Sequence, residues 1–440
     1  MSYAGPSNFA FFKIIKKSKT AAERLLLGTE QEISIEGKIL GVNYFESVYS
    51  PMITASMVQA DVGGSVTDAR TGLRGTLKDA LPIEGFEEVA FNITTRYGEL
   101  NFTKNPMIVT GSPMNVDDSQ KQSVLIPMVS KYSIDSSKKP LEKVYQESRI
   151  SDIIDKILDS LKVPKNKRNI EKTSNVDKVS GNHEPPLDVC LELCKKSIPE
   201  TGKDPGYFFF ETQDGFQFRS IEGLINEGID RFSNAGYEDT HTYNYLGALD
   251  ANLDNDENNF KVLLPPVVKR DQNQLNALKH GLYNVRVSTM NTLTGEYREK
   301  VENLLSSSNL GDKQKSPVDS KNFSKSYSYI INPGADEQGV SEEVLNSPSK
   351  YEPRAHMRYG LLHSQLVDIQ VPCNIQLRAG EVIKLKLENI TQDEKLLSIY
   401  NQHRSGYYLI LHLCHHFDPA NSYTSLTLAR DTYGLYTSKK

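Results

Sequence analysis

The sequence predicts a mainly β protein with α+β insertions, and three observations lead there. Residues 369–387 and 405–431 alternate apolar and polar side chains with period two, broken by turn residues, like the closing strands of an antiparallel barrel. The N-terminal third carries many short apolar runs with turns between them, the pattern of a barrel or sandwich. From Pro140 the apolar spacing switches to the helical period.

Taken in order, residues 31–60 read as strands. Ile33, Ile35, Ile39 and Val42 lead into Tyr44 to Tyr49, and then, past Pro51, into the run from Met52 to Ala60. Asp61 to Gly64 signals a turn, and the polar stretch 65–78 a loop. Phe86, Val89, Phe91 and Ile93 supply the next strand, followed by Leu100, Phe102, Met107 to Thr110, and Val124 to Ile134. Val144, Ile150, Ile153, Ile154, Ile157, Leu158 and Leu161 follow helical spacing up to Pro164. The charged stretch 165–186 is too poor in apolar residues for a core element and reads as a loop or weakly ordered linker. Leu187 to Cys194 forms a short helix that stops before Pro199, and 206–218 a hairpin with Gln213-Asp-Gly215 at its turn.

In the second half, 274–280 reads as helix, and 283–290 and 297–301 as strands. Residues 306–326 form a second polar loop. A helix over 351–365 places Met357, Leu361, Leu362 and Leu366 on one side.

At 440 residues the chain exceeds one simple core. A net charge of −5 argues against a general phosphate-binding surface. Four cysteines, Cys190, Cys194, Cys373 and Cys414, fall short of a secreted disulfide scaffold. Cys190 and Cys194 stand one helical turn apart, and the expectation is buried free thiols. No run approaches the ~18 apolar residues of a membrane span. The opening Asn8 to Lys17 carries its charges after its apolar patch, the reverse of a secretory signal. The expectation is a product that stays in the cytoplasm or joins an assembly built there, without stable membrane insertion.

No motif of phosphate-loop, dinucleotide, nucleophile-elbow or zinc-protease type is present. His412, Cys414 and His416 alternate on one strand and share a face, a ligand set zinc accepts if Cys373 or His363 arrives as a fourth. The alternative is a half-buried strand whose polar face holds histidines, and no metal or other cofactor is expected. Asp250, Asn252, Asp254 and Asp256 imitate a calcium loop, but Asn255 and Lys261 stand where Gly and Glu are needed. The basic run Lys13 to Lys19 reads as part of an N-terminal extension or as a helix solvating one face, with contact to a membrane or nucleic acid as the alternative.

Four stretches together resemble the baseplate hub proteins of contractile-tailed phages and the N-terminal hub part of the type VI secretion spike protein VgrG. They are Tyr44 to Tyr49 with Met57 to Asp61 and Leu81 to Phe91; Ser148 to Leu158; Pro186 to Phe218; and the C-terminal strands ending Leu426-Thr-Leu-Ala-Arg-Asp431. Their order carries the resemblance. It implies two tube-type antiparallel β-barrels with smaller helical and β segments. The expected division is 1–24 an N-terminal extension, 25–136 a first barrel, 137–220 a helical and hairpin segment, and 221–440 a second barrel with polar loop insertions and a helical segment near 351–366.

The resemblance further implies a non-enzymatic virion subunit. It would form a homotrimeric ring adapting the sixfold tail tube to the threefold central spike. Its partners would be the tail tube protein, the spike and other baseplate proteins, with DNA passing through the lumen without specific binding. Its place would be the tail baseplate, assembled in the host cytoplasm. A part of a type VI or other contractile-injection machine, a carbohydrate-binding β-sandwich tail protein and a hydrolase remain the rival readings.

Overall fold

The computed structural model describes residues 6–17, 30–61, 83–111, 114–118, 121–201, 204–245, 261–271, 273–292, 294–304, 323–331, 348–387 and 403–432, with isolated positions between them (66–67, 72, 74–75, 310 and 401). Among the described residues, the first part of the chain is built of strands: β1 (Asn8–Lys17), β2 (Glu30–Ser34), β3 (Ile39–Ser47), β4 (Thr54–Asp61), β5 (Val66–Thr67), β6 (Arg74–Gly75), β7 (Glu88–Thr95), β8 (Gly98–Asn101), β9 (Met107–Val109), β10 (Met114–Asp118) and β11 (Lys121–Val129). Alternation drives it. Val42, Tyr44, Met57, Phe91, Ile93 and Ile126 point to one side and are fully buried, while their strand neighbours face outward.

The middle part mixes α1 (Lys131–Lys138), β12 (Val144–Arg149), α2 (Ile150–Ser160), a 3-10 turn (Lys165–Lys167), β13 (Arg168–Ile170), β14 (Val176–Ser180), α3 (Pro186–Lys196), β15 (Tyr207–Thr212) and β16 (Gly215–Ser220). Helix α2 buries Ile150, Ile153, Ile154, Ile157 and Leu158 against α3 and the β15–β16 hairpin. The hairpin is covered on both faces. Tyr207 and Phe209 enter this helical core, whereas Phe208 and Phe210 enter the C-terminal core, which explains the unbroken aromatic run.

The last part comprises α4 (Ile221–Arg231), α5 (Ala235–His241), β17 (Thr242–Tyr245), β18 (Val267–Arg270), α6 (Gln274–Lys279), β19 (Asn284–Asn291), β20 (Tyr297–Asn303), β21 (Lys325–Ile331), α7 (Pro348–Leu362), β22 (Gln365–Pro372), β23 (Val382–Leu387), β24 (Gly406–Phe417) and β25 (Tyr423–Arg430). Strands β19, β20 and β21 form a separate sheet over α7, with Val285, Val287 and Met357 between them.

A 15-stranded, largely antiparallel sheet links the first and last parts; eleven strands run in the order β18-β22-β25-β24-β3-β4-β11-β9-β7-β1-β2, and β8, β10, β17 and β23 pair off that path. Its joint is the β3–β24 ladder, from His412 opposite Ser47 to Phe417 opposite Val42. Two hydrophobic cores lie along it. One is built on β1–β11, with Cys373, Ile375 and Phe417 contributed from the C-terminal part. The other is built on β22–β25 and α4, with Val48 contributed from the first part. β17 joins β23 in parallel. Val262 N–H donates to Asn244 O at 3.0 Å and Leu263 N–H to Gln370 O at 2.7 Å, so residues 262–263 lie between β17 and β22. No helix among the described residues is long and apolar enough to cross a membrane.

Several expectations change. The segment expected as an extension, with its basic run, contributes core strand β1, where Phe12 and Ile14 are fully buried. Lys13 and Lys17 instead reach Glu32 and Glu88 on the flanking strands β2 and β7. The 165–186 stretch contains β13 and β14. Each is short and sends only one apolar side chain, Ile170 or Val179, to the core, so its composition looks like that of a loop. Val144 belongs to β12, and the helix begins at Ile150. The strand expected to reach Ile134 stops at Val129, because α1 begins at Lys131. The C-terminal helix ends at Leu362, and Gln365 already pairs with Arg430 as strand. The acidic positions Asp250 to Asp256, and most of the 306–326 loop, lie outside the described residues.

The hairpin turn rests on Gly215, at φ +124°, where a Cβ would sit 2.2 Å from the Lys167 carbonyl oxygen. Gly215→Ala combines left-handed strain with a backbone clash and costs about 2–4 kcal/mol. Gly98→Ala, at φ +140° with open space around it, costs about 1–3 kcal/mol. Urea unfolding of the two variants checks this ranking.

Candidate functional site

The three parts of the chain meet at a buried polar seam. Glu46 lies on the inward face of β3, in register with Val42 and Tyr44, where alternation calls for an apolar residue. It is 2% exposed. Its Oε1 accepts from Tyr44 Oη at 2.7 Å and from the Gln213 backbone N–H at 2.8 Å, and its Oε2 from the Ala379 N–H at 3.0 Å. One carboxylate thus ties the first sheet to the hairpin turn and to the loop between β22 and β23. Glu211, on β15, answers from the other side by accepting from the Ile53 N–H at 3.2 Å.

Burial raises the Glu46 carboxyl above its ordinary range, against the opposing pull of Arg378 and its three donors. Burial, with Glu46 adding to it, lifts Glu211 to about 7. Arg378 donates Nε to Asp214 at 3.0 Å and Nη1 to the carbonyls of Ile375 and Leu377. His415 packs on Tyr44 at 5.9 Å, and burial, then Arg378, depresses its ring to about 3. Gly380, at φ +84°, lets this loop pass within contact of Phe210. The seam contains no exposed nucleophile, and what its groups do is hold three chain segments in one arrangement.

Two surface depressions adjoin it. A cleft of about 310 Å³ opens between the hairpin, α4 and the 378–381 loop. Its charges are matched: Arg219 and Arg231 both bind Glu227, Arg231 also binds Glu381, and Arg378 binds Asp214. A groove of about 320 Å³ on the outer sheet face runs past Phe45, Leu264, Val267 and Cys414.

His412, Cys414 and His416 do share the outer face of β24, as expected, but the two histidines have separate neighbours. His412 packs on Tyr49 at 5.4 Å, and His416 hydrogen-bonds Asn43 and packs on Tyr423. His363 bonds Tyr49 Oη, and Cys373 is buried in the first core. Among the described residues, no group of three or more His, Cys, Asp or Glu is placed to hold a metal ion. Cys190 and Cys194 are buried free thiols in α3. The seam residues Glu46 and Glu211 escaped the sequence reading. The available signal was a carboxylate at an inward strand position, once after Tyr44-Phe and once after the Phe208 to Phe210 run.

Glu46→Ala takes the acceptor from two buried backbone N–H groups and the Tyr44 hydroxyl, and lowers unfolding free energy by about 3–5 kcal/mol. Glu32→Ala removes only an exposed pair with Lys13 and costs under about 1 kcal/mol. Chemical denaturation of both variants measures the difference.

No protein-family model matches the chain, and no characterised protein matches it in sequence. In structure it is similar to a 43 kDa prophage tail protein from Shewanella oneidensis, at 10% identity over 96% of this chain and 98% of that one, with a TM-score of 0.49. It is similar to a tail protein from Neisseria meningitidis at 9% identity, over 96% and 97% of the two chains, TM-score 0.49. A third is an E. coli component of the type VI secretion system, at 10% identity over 91% of this chain and 76% of that one, TM-score 0.41. The solved structures beside which the chain falls are phage tail proteins and VgrG-related secretion proteins.

Proposed function

We propose that this chain is a structural, non-enzymatic hub subunit of a contractile-tail baseplate. Three copies form a ring that adapts a sixfold tail tube to a threefold central spike and encloses the passage for DNA. The observation that carries this reading is the β3–β24 ladder. It fuses two separately cored sheet units into one hydrogen-bonded surface, so each chain presents two units in fixed relation. Three such chains offer six units around a threefold axis, which is the symmetry arithmetic an adaptor needs.

The two units are read as tube-type barrels. Two features support this: the bridging of β17 and β22 by residues 262–263, and the bond from Ser7 N–H to Asp418 O, 3.3 Å, that brings the start of β1 to the end of β24. The division at 25–136, 137–220 and 221–440 belongs to the same reading, with β1 added to the first unit. The tail tube protein, the spike and neighbouring baseplate proteins are the proposed partners, and the virion tail baseplate, assembled in the host cytoplasm, is the proposed location. DNA passes without specific binding, in keeping with the net charge of −5.

Light scattering on the chain mixed with its spike partner tests the proposal. Three copies per complex are expected, and negative-stain images show a ring with a tube-wide central hole. Monomers alone at high concentration overturn it. So does turnover of peptidoglycan that disappears when one carboxylate is replaced.

A further inference from the structure

The fold holds one aromatic side chain out to solvent in a conformation that its own backbone disfavours. Phe86, just before β7, has φ +70° and is 60% exposed. A bulky residue is crowded in the left-handed region, and such strain persists only where the surroundings impose it. Here they do. The buried carboxylate of Glu87 accepts the N–H groups of Glu84 at 3.1 Å and Gly85 at 2.9 Å. The Phe86 N–H donates to Val109 O at 2.8 Å, and the Val109 N–H donates to Glu87 O at 2.9 Å. The backbone around Phe86 is thus pinned to β9 while its ring faces outward, so the strain serves no core packing. Lys138 of α1 lies over the ring, with Nζ 4.8 Å from its centre, and has no carboxylate partner among the described residues.

The same chain carries a recess of complementary character. In the groove of about 320 Å³ on the outer sheet face, Phe45, Leu264 and Val267 are 39%, 54% and 59% exposed. Apolar side chains grouped in the open like this mark a contact surface. Asp368 belongs to the same lining, and its side chain is 31% exposed. It accepts from the Thr427 hydroxyl at 2.9 Å and pairs with Lys269, and a carboxylate has room for a further donor. An aromatic knob with a cation beside it therefore faces an apolar groove with a carboxylate beside it. Strands β11, β4 and β3 lie between β9, which anchors the knob, and β24, which floors the groove. Four strand spacings amount to about 20 Å. We propose that Phe86 of one copy seats in this groove on a second copy of the chain, with Lys138 directed at Asp368. The contact joins two different surfaces, so it runs head to tail, and three such contacts close a ring. It rests on the hub reading and names the surfaces by which the copies meet.

Native Cys414 lines the groove, while Cys190, Cys194 and Cys373 are buried, so a single substitution supplies a trap. The full chain carrying Phe86→Cys is oxidised with diamide, with isotope-labelled and unlabelled copies mixed. The expected result is disulfide-linked dimers and trimers on denaturing gels, with mass spectrometry placing the bond between position 86 of one copy and Cys414 of another. Adding Cys414→Ser abolishes them. Sedimentation velocity gives a second reading that needs no new thiol. Phe86→Ala and Val267→Glu each weaken self-association by about tenfold or more, as loss of a central aromatic anchor does, while the urea midpoint of the isolated chain stays where it is. Trimers of the unaltered chain, combined with no 86–414 bond and with variants that associate normally, overturn this contact and leave the hub reading standing. A bond confined to one copy overturns it too, as does a position-86 thiol shielded from alkylation only when the spike is added. Monomers at every concentration, with and without the spike, overturn both.

Discussion

The meeting of the first sheet, the β15–β16 hairpin and the β22–β23 loop is fixed by one carboxylate buried from solvent. Glu46 occupies an inward site on β3 where a valine would pack, and its stability there depends on donors from two other parts of the chain. A buried charge is tolerated only when its acceptors are filled. The hairpin turn and the β22–β23 loop must therefore arrive in one relative geometry, or the charge is stranded. Apolar packing tolerates small slips between surfaces, whereas three hydrogen bonds to one carboxylate do not. The seam turns a set of adjacent cores into a single defined arrangement.

The β3–β24 ladder lies directly beside that seam and extends the same constraint along the sheet. His415 on β24 pairs with Tyr44 on β3 and stacks on its ring, and Tyr44 in turn donates to Glu46. Backbone pairing fixes register, because a one-residue slip would turn every side chain to the wrong face. The inward Glu46 makes such a slip costlier still. Two cores that could have been separate domains joined by a linker are instead tied into one hydrogen-bonded sheet.

The same physics separates what was legible in the chain from what was not. The strands over 39–47, 54–61, 365–372, 406–417 and 423–430 were readable because one face is buried and the other wet, so period two survives in the sequence. The β15–β16 hairpin was readable from its aromatic run and its Asp-Gly turn. β13 and β14 were not, since each is short and gives the middle core only one apolar contact, Ile170 and Val179, too few to show a period. β1 was misread because its lysines look solvated, and only its neighbours Glu32 and Glu88 explain them. The candidate metal face on β24 was placed correctly as a face. Its two histidines then proved to be engaged separately, His412 by Tyr49 and His416 by Asn43 and Tyr423.

The sequence alone determined the fold class and most element positions, because alternation, helical spacing and turn residues are local consequences of which side of an element meets water. The pairing of β3 with β24, some 370 residues apart, and the meeting of Glu46 with Gln213, Ala379 and Glu211 were decided only in the tertiary structure. A carboxylate in a strand pattern reads as solvent-facing until the fold supplies the donors that justify burying it. Those donors are backbone N–H groups, which every residue carries and no residue pattern can announce.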